Sequence, residues 1–313
     1  YPPSNSIHAV TLEVTTREWV RARSGNGDLP RDGEGRSVGR VATMNGSVVP
    51  RSWRPYEQRA DSTVVGTLLV SDPLAAPSLD RSLELLAWLP PAHDGGAGLP
   101  VLYMHDGGNL FDEPASHTGE WCVDVTLTAM GRAAVVVGIP NAGDRRMYEY
   151  CPWPNHFTED VVGGAYGEFI VDEVLPFVEA TLPVRTDRSG RGVMGSSLGG
   201  LISLYMYLSY PDTFGFVGSM STAAWWTPQL WSYLEEVDPP PGRIYLDVGT
   251  NEMPMDPVTS AAYLDVFHRL RSWCVDAGYG SDVLAVMEDD ATHHEVAWAR
   301  RFPAALDFLL PRD

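Results

Sequence analysis

The chain contains no lysine among its 313 residues. That absence excludes a Walker-type phosphate loop and any Schiff-base mechanism, because each depends on a lysine amine. Cysteine is scarce as well. Cys122, Cys151 and Cys274 are odd in number and widely spaced, which gives neither a disulfide framework nor a zinc pattern, and they read as buried, unreactive thiols. Positive charge is the third deficit: 22 arginines face 41 acidic residues for a net charge of −19. Phosphate backbones would be repelled, so nucleic acid is excluded as a partner. Apolar runs are short, none approaching the roughly 20 residues of a membrane-spanning helix, and no signal-peptide pattern opens the chain. The expectation is a protein with no membrane span, the cytoplasm being favoured over export. The start at Tyr1 rather than at Met keeps a removed leader in view.

What is present suits a large core. Hydrophobic residues make up 44% of the chain, with 10 Trp, enough for one large α/β domain with a small appendage. Residues 17 to 59 carry nine Arg against five acids, leaving 13 Arg and 36 acids elsewhere. This segment is expected to dock on the acidic body of its own chain or on a sister subunit of a homodimer. Residues 1–60 read as an N-terminal extension or small β-rich module with one strand at "IHAVTLEVTT", and residues 61–313 as the main domain.

From residue 63 onward the pattern sharpens. "TVVGTLLVS" and "LELLAWLPP" read as two strands joined by the turn-rich "DPLAAPSLD". Six short apolar runs follow at 101–106, 133–139, 192–197, 214–220, 243–249 and 282–289. Between them lie helix-length segments at about 119–130, 164–181, 198–209, 226–236, 258–277 and 294–310. Alternation of this kind predicts an α/β fold with a mostly parallel, eight-stranded sheet flanked by helices.

Within "RGVMGSSLGGL" the residues Gly195-Ser196-Ser197-Leu198-Gly199 match G-x-S-x-G. The bare pattern is weak, but it falls between an apolar run and a helix, which places Ser197 on a tight strand-to-helix turn. A serine hydroxyl needs a base, and the base an orienting acid, which follow in the order Ser, acid, His. Glu252 just past "YLDVG" is the favoured acid, with Asp256 and Asp247 as alternatives. "DDATHHEVAW" offers His293 and His294, one as the base, with His293 favoured, and the other as a residue that caps or packs the next helix. The same string fails as a zinc helix, since Trp298 stands where H-E-x-x-H needs its second His. No other histidine pair has ligand spacing, so no metal site is expected. Oxyanion donors would be the Leu198 amide and the Gly107 to Gly108 loop of "MHDGGNLF".

These residues resemble the putative-esterase (esterase D-like) family of α/β-hydrolases, which includes ferric-siderophore, feruloyl and acetylxylan esterases, S-formylglutathione hydrolase and mycolyltransferases. The resemblance covers about residues 63 to 310 and rests on seven segments in the family's order. They are "VLYMHDGGNLFD", "VVVGIPNAGDRRMYEYCPW", "FIVDEVLPFVEATLPVRTDR", "GVMGSSLGGLISLY", "GSMSTAAWW", "LDVGTNE" and "HHEVAWARRFPAALDFLL". It implies the α/β-hydrolase fold over 61–313 and a serine carboxylic-ester hydrolase with Ser197 as nucleophile, His293 as base and Glu252 as acid. It also implies a pocket loop at "RRMYEY", where Arg146 either meets substrate or pairs with Glu149. Trp225 and Trp226 are expected to wall the pocket for an acyl or aromatic group, with a core role as the alternative for at least one of them. No cofactor is required, and the implied substrate is a small-molecule or glycan ester, such as a siderophore lactone or an acylated sugar. The rival readings are an acyltransferase and a non-catalytic binding protein of the same fold.

Overall fold

A computed structural model describes residues 7–11, 52–91, 98–155 and 157–310. Among the described residues, twelve strands run in chain order. The first six are β1 (Ile7–Thr11), β2 (Trp53–Pro55), β3 (Thr67–Ser71), β4 (Leu74–Ala76), β5 (Arg81–Leu83) and β6 (Leu86–Leu89). The last six are β7 (Val101–His105), β8 (Val135–Ile139), β9 (Arg191–Ser196), β10 (Phe216–Met220), β11 (Arg243–Gly249) and β12 (Val283–Glu288). Eight helices alternate with the later strands: α1 (Val123–Met130), α2 (Arg146–Tyr150), α3 (Gly163–Phe169), α4 (Leu175–Thr181), α5 (Leu198–Ser209), α6 (Gln229–Glu236), α7 (Pro257–Asp276) and α8 (Glu295–Leu309).

Ten strands form one sheet in the order β1-β12-β11-β10-β9-β7-β8-β6-β3-β2. The six central strands β8, β7, β9, β10, β11 and β12 are parallel to one another. β6, β3 and β2 continue one side antiparallel, and β1 closes the other side antiparallel to β12. The sheet thus has ten strands where eight are expected. The two additions, β1 and β2, both lie within residues 1–60 and take the open hydrogen-bonding edges of β12 and β3, edges that the eight-strand reading left without partners. The "DPLAAPSLD" connection folds into the separate β4–β5 ribbon. The short helix α2, which begins three residues past "NAG", has no counterpart in the sequence expectation.

Side chains of the central strands alternate between two cores. Tyr103, Val137, Val193, Val217 and Leu246 join the core under α3 to α7, whereas Met104, Val136, Met194, Phe216 and Tyr245 join that under α1 and α8. This is why those strands read as continuous apolar runs rather than as alternating ones. Between α3 and α4 a π turn spans Ile170–Val174. Pro176, at the start of α4, has no N–H to continue the ladder, which accounts for the wider turn before it.

Of the arginine-rich segment, residues 17–51 lie outside the described residues. Its last part lies on the body through an Arg54 to Glu84 ion pair of 2.9 Å and through Tyr56, whose hydroxyl donates to Asp112 at 2.7 Å. Cys151 and Cys274 are buried while Cys122 is half-buried, and burial pushes all three thiols up, to about 11 for Cys122 and Cys151 and about 12 for Cys274. Among the described residues no helix is long and apolar enough to cross a membrane.

Candidate active site

The segments at the carboxyl ends of β7, β8, β9 and β12 meet around a cavity of about 400 Å³, the position where open α/β sheets bind ligands. Ser197 sits there between β9 and α5 with φ 59° and ψ −124°. A non-glycine residue in that region costs about 1–3 kcal/mol and persists only where its surroundings hold it. Here the Ser197 amide donates to Met220 O at 2.9 Å, and its carbonyl accepts from Ala223 at 3.1 Å. Both glycines of the motif are tightly packed, Gly195 against backbone and Gly199 against side chains. A Cβ on Gly195 would stand 2.7 Å from the Gly199 carbonyl carbon, and one on Gly199 would stand 3.3 Å from Asp106 Oδ2. Ser196 is buried while Ser197 is partly exposed, and both line the cavity.

His293 lines the same cavity, and its Nδ1 lies 2.6 Å from Glu252 Oε2. The His293 amide also donates to the Glu252 carbonyl at 2.8 Å, so side chain and backbone lock the two loops together. Glu252 is 1% exposed. Burial pushes its carboxyl up, but hydrogen bonding and charge from His293, with donors from Ser221 and the Gly249 amide, outweigh burial and hold it below its ordinary value.

The two alternative acids are used elsewhere. Asp256 caps α7, accepting from the Thr259 amide at 3.1 Å. Asp247 pairs with Arg301 at 2.9 Å, and burial pushes its carboxyl up to about 6 against the opposing charge of Arg301. His294 caps α8, with Nδ1 accepting from the Val296 amide at 3.2 Å.

Across the cavity, Asp106 adopts φ 56° and turns the chain after β7 into the Gly107 to Gly108 loop. Gly107 packs so closely on β8 that a Cβ would stand 2.7 Å from the Gly138 carbonyl carbon, whereas a Cβ on Gly108 would have nothing within 4 Å. The loop is fixed from outside. Asp106 accepts from Arg146 Nε at 2.6 Å, from Arg146 Nη2 at 2.7 Å and from Asn141 Nδ2 at 2.7 Å, and its amide donates to the Tyr150 hydroxyl at 3.1 Å. Behind it His105 Nδ1 lies 2.9 Å from the Tyr166 hydroxyl, and burial pushes His105 down to about 3, so it stays neutral. Arg146 therefore lines the cavity, but its ion-pair partner is Asp106 and not Glu149. Glu149 is buried beneath and belongs to Arg81, 2.7 Å away. The reason is reach: α2 aims Arg146 at the β7 loop and Glu149 one turn on into the core.

Trp225 and Trp226 stack on each other, with ring centroids 5.3 Å apart, beside the cavity and not among its lining residues. Phe157, exposed, packs edge-on against Trp226. Trp225 meets Tyr263 edge-on, and the Tyr263 ring lies 4.8 Å from that of His293. Tyr263, Ser221 and Arg301 are neighbours of the site with no motif to announce them. Tyr263 lies inside the 20-residue helix α7, and Arg301 reads as one more charge on a surface helix although it is fully buried. Among the described residues no group of three or more His, Cys, Asp or Glu could hold a metal ion.

A family model described as Putative esterase matches residues 76–309. An uncharacterised Bacillus subtilis protein, YbbA, is 28% identical over 232 residues, which cover 71% of this chain and 90% of that protein. The iron(III) salmochelin esterase of Escherichia coli is 30% identical over 169 residues, covering 52% of this chain and 37% of the esterase. The chain thus spans well under half the length of that relative. The solved structure of ferric enterobactin esterase from Salmonella typhimurium is similar with a TM-score of 0.61 at 20% identity, covering 82% of this chain and 59% of that one. Likeness at that identity speaks to the fold, which is of the α/β-hydrolase type.

Proposed function

The chain belongs to the Putative esterase family, an enzyme family of the α/β-hydrolase type, and from that premise we propose that it is a serine carboxylic-ester hydrolase working through Ser197, His293 and Glu252. The observation that carries the reading is the 2.6 Å pair of His293 Nδ1 with Glu252 Oε2, in one cavity with a serine held at φ 59°. With Nδ1–H donated to Glu252, His293 Nε2 is the free base. It takes the Ser197 proton as Oγ attacks the ester carbonyl, and the Leu198 amide with the Gly107 to Gly108 loop receives the oxyanion. His293 then protonates the departing alcohol. Water attacks the acyl-enzyme, again with His293 as base, and releases the acid.

In this reading residues 61–313 are the catalytic domain, residues 1–60 are an extension, and no cofactor takes part. The substrate is a small-molecule or glycan ester, a siderophore-type lactone or an acylated sugar. Recognition of a neutral or polar group fits better than capture of a free anion, because Arg146 is already neutralised by Asp106.

The test is labelling with a fluorophosphonate probe, together with hydrolysis of p-nitrophenyl esters from acetate to octanoate. Wild type is expected to label once per chain, and Ser197→Ala to lose both labelling and about 10⁴-fold or more of kcat. An unlabelled, inactive wild type, or a Ser197→Ala variant that still labels at the same stoichiometry, would remove Ser197 as the nucleophile.

A further inference from the structure

Glu252 uses its two carboxylate oxygens differently. Oε2 takes His293, whereas Oε1 accepts from Ser221 Oγ at 2.7 Å and from the Gly249 amide at 2.6 Å. Ser221 Oγ has two more neighbours, Trp298 Nε1 at 2.9 Å and Arg301 Nη2 at 3.1 Å. Indole and guanidinium nitrogens only donate. Both lone pairs of the hydroxyl are therefore occupied, and its single proton is left for Glu252. The hydrogen-bond direction is fixed by the neighbours, in contrast to an exposed serine whose hydroxyl turns to suit.

Ser221 is itself held in place against strain. It adopts φ 42°, unusual for a residue with a side chain, and its amide donates to Asp247 O at 3.0 Å and Oδ1 at 3.1 Å. Asp247 Oδ2 pairs with Arg301 Nε at 2.9 Å, and Arg301 Nη1 bonds Glu288 Oε2 at 3.1 Å. Ser221, Asp247, Glu288 and Arg301 are all at most 2% exposed, and none of them lines the cavity. A strained backbone, a buried arginine and two further carboxylates thus converge on one hydroxyl whose only acceptor is Glu252.

We propose that Ser221 is a positioning residue for ester hydrolysis. Its hydroxyl, oriented by Trp298 and Arg301, holds Glu252 as an ionised acceptor with Oε2 on His293 Nδ1, which fixes the tautomer that leaves Nε2 free for Ser197. This rests on the triad reading above. Ser221 does not touch the reacting atoms and acts through Glu252 alone, and that dependence is what an experiment can isolate.

The experiment is a double-mutant cycle of Ser221→Ala and Glu252→Gln, reading kcat and KM on a p-nitrophenyl ester and the ¹⁵N shifts of the His293 imidazole, which report its tautomer. Ser221→Ala is expected to lower kcat about tenfold, the effect of removing one hydrogen bond to a charged group, with KM within about twofold. In the Glu252→Gln background the same change should cost less than about twofold. The imidazole shifts should move toward mixed tautomers in Ser221→Ala. Ser221→Cys, which keeps a weak donor, should fall between wild type and alanine, and serves in its place if the alanine variant does not fold. An equal loss in both backgrounds with unmoved imidazole shifts would overturn the proposal and leave Ser221 as a strand-end packing residue. A wild type that hydrolyses no ester would instead count against the triad reading. The imidazole shifts would then still decide whether Ser221 governs the Glu252 to His293 pair, unmoved shifts again overturning the proposal.

Discussion

The two sides of the sheet's carboxyl edge are built from different material. At β10 to β12, Ser221, Asp247, Glu252, Glu288 and Arg301 are all at most 2% exposed and held by side-chain hydrogen bonds and ion pairs. At β7 and β8 the chain relies on two adjacent glycines and on Asp106, Asn141 and Arg146, which bind one another at the cavity wall. The first side keeps water away from the groups that handle a proton. A unit charge pair at 4 Å is worth about 4 kcal/mol near a protein surface but about 1 kcal/mol in bulk water. The second side lines the cavity with Asp106, Asn109, Asn141 and Arg146, so in the proposed reaction it gives up burial for backbone approach. Buried charge pairing is concentrated beneath the cavity on the β10 to β12 side, where only the segment after β12, His293 to Trp298, reaches the lining, and close backbone packing on the β7 side.

The strongest way to break this contrast is Glu252→Gln. The amide is nearly isosteric but cannot hold the His293 tautomer, so kcat is expected to fall by about 10²- to 10⁴-fold with KM little changed, measured by steady-state hydrolysis. The same variant has a stability signature. Because the folded carboxyl titrates below its ordinary value, the native state binds fewer protons than the unfolded chain in the window between the two values. Its contribution is complete above the unfolded value and is lost as pH falls through the folded one. Urea unfolding at a series of acidic pH values should therefore show wild type losing stability on acidification more steeply than Glu252→Gln.

Next comes Arg301→Met. It fills much of the same space but leaves the buried Asp247 without its cation and Glu288 with Arg300 alone, and the expected loss is about 3–5 kcal/mol of unfolding free energy. An equivalent change across the cavity, at the partly exposed Arg146, should cost far less, since Asp106 keeps Asn141 and has access to water. Equal losses at the two arginines by chemical denaturation would abolish the contrast between the sides.

Much of this plan was legible in residue order. The six parallel strands appear as apolar runs because they are buried on both faces, and the elbow appears because Gly195 is dictated by the backbone of Gly199 four residues on. Glu252 and His293 could be placed because each follows a strand that ends at the same edge. The remainder needed three dimensions. β1 and β2 are short edge strands whose pairing is decided by which sheet edges are open, and residue pattern is silent about that. Arg146 with Asp106, and Arg301 with Asp247, are pairs 40 and 54 positions apart that no periodicity connects. Ser221 was hidden for a different reason: its role comes from the direction of a hydrogen bond, set by Trp298 and Arg301 in a helix that begins 74 residues later.

The smallest expected effect gives the sharpest comparison within the β7 side itself, because Gly107 and Gly108 are adjacent and identical in type. A methyl at Gly107 would meet the β8 backbone at 2.7 Å, where neither partner is a flexible side chain, whereas one at Gly108 has nothing within 4 Å. Neither glycine has the positive φ that would penalise alanine in its own right. Gly107→Ala is therefore expected to cost about 1–3 kcal/mol from forced displacement and to lower kcat by shifting the loop amides. Gly108→Ala should leave unfolding within about 0.5 kcal/mol of wild type. Any effect of Gly108→Ala must then come from the bound state, where the added methyl occupies space beside the ester, so it should raise KM for long acyl chains more than for acetate. If Gly108→Ala destabilises as much as Gly107→Ala in the absence of substrate, the loop is held by backbone conformation rather than by its seat on β8. If both variants are stable and unchanged in kcat, the oxyanion donors lie elsewhere and the β7 side does no more than shape the entrance.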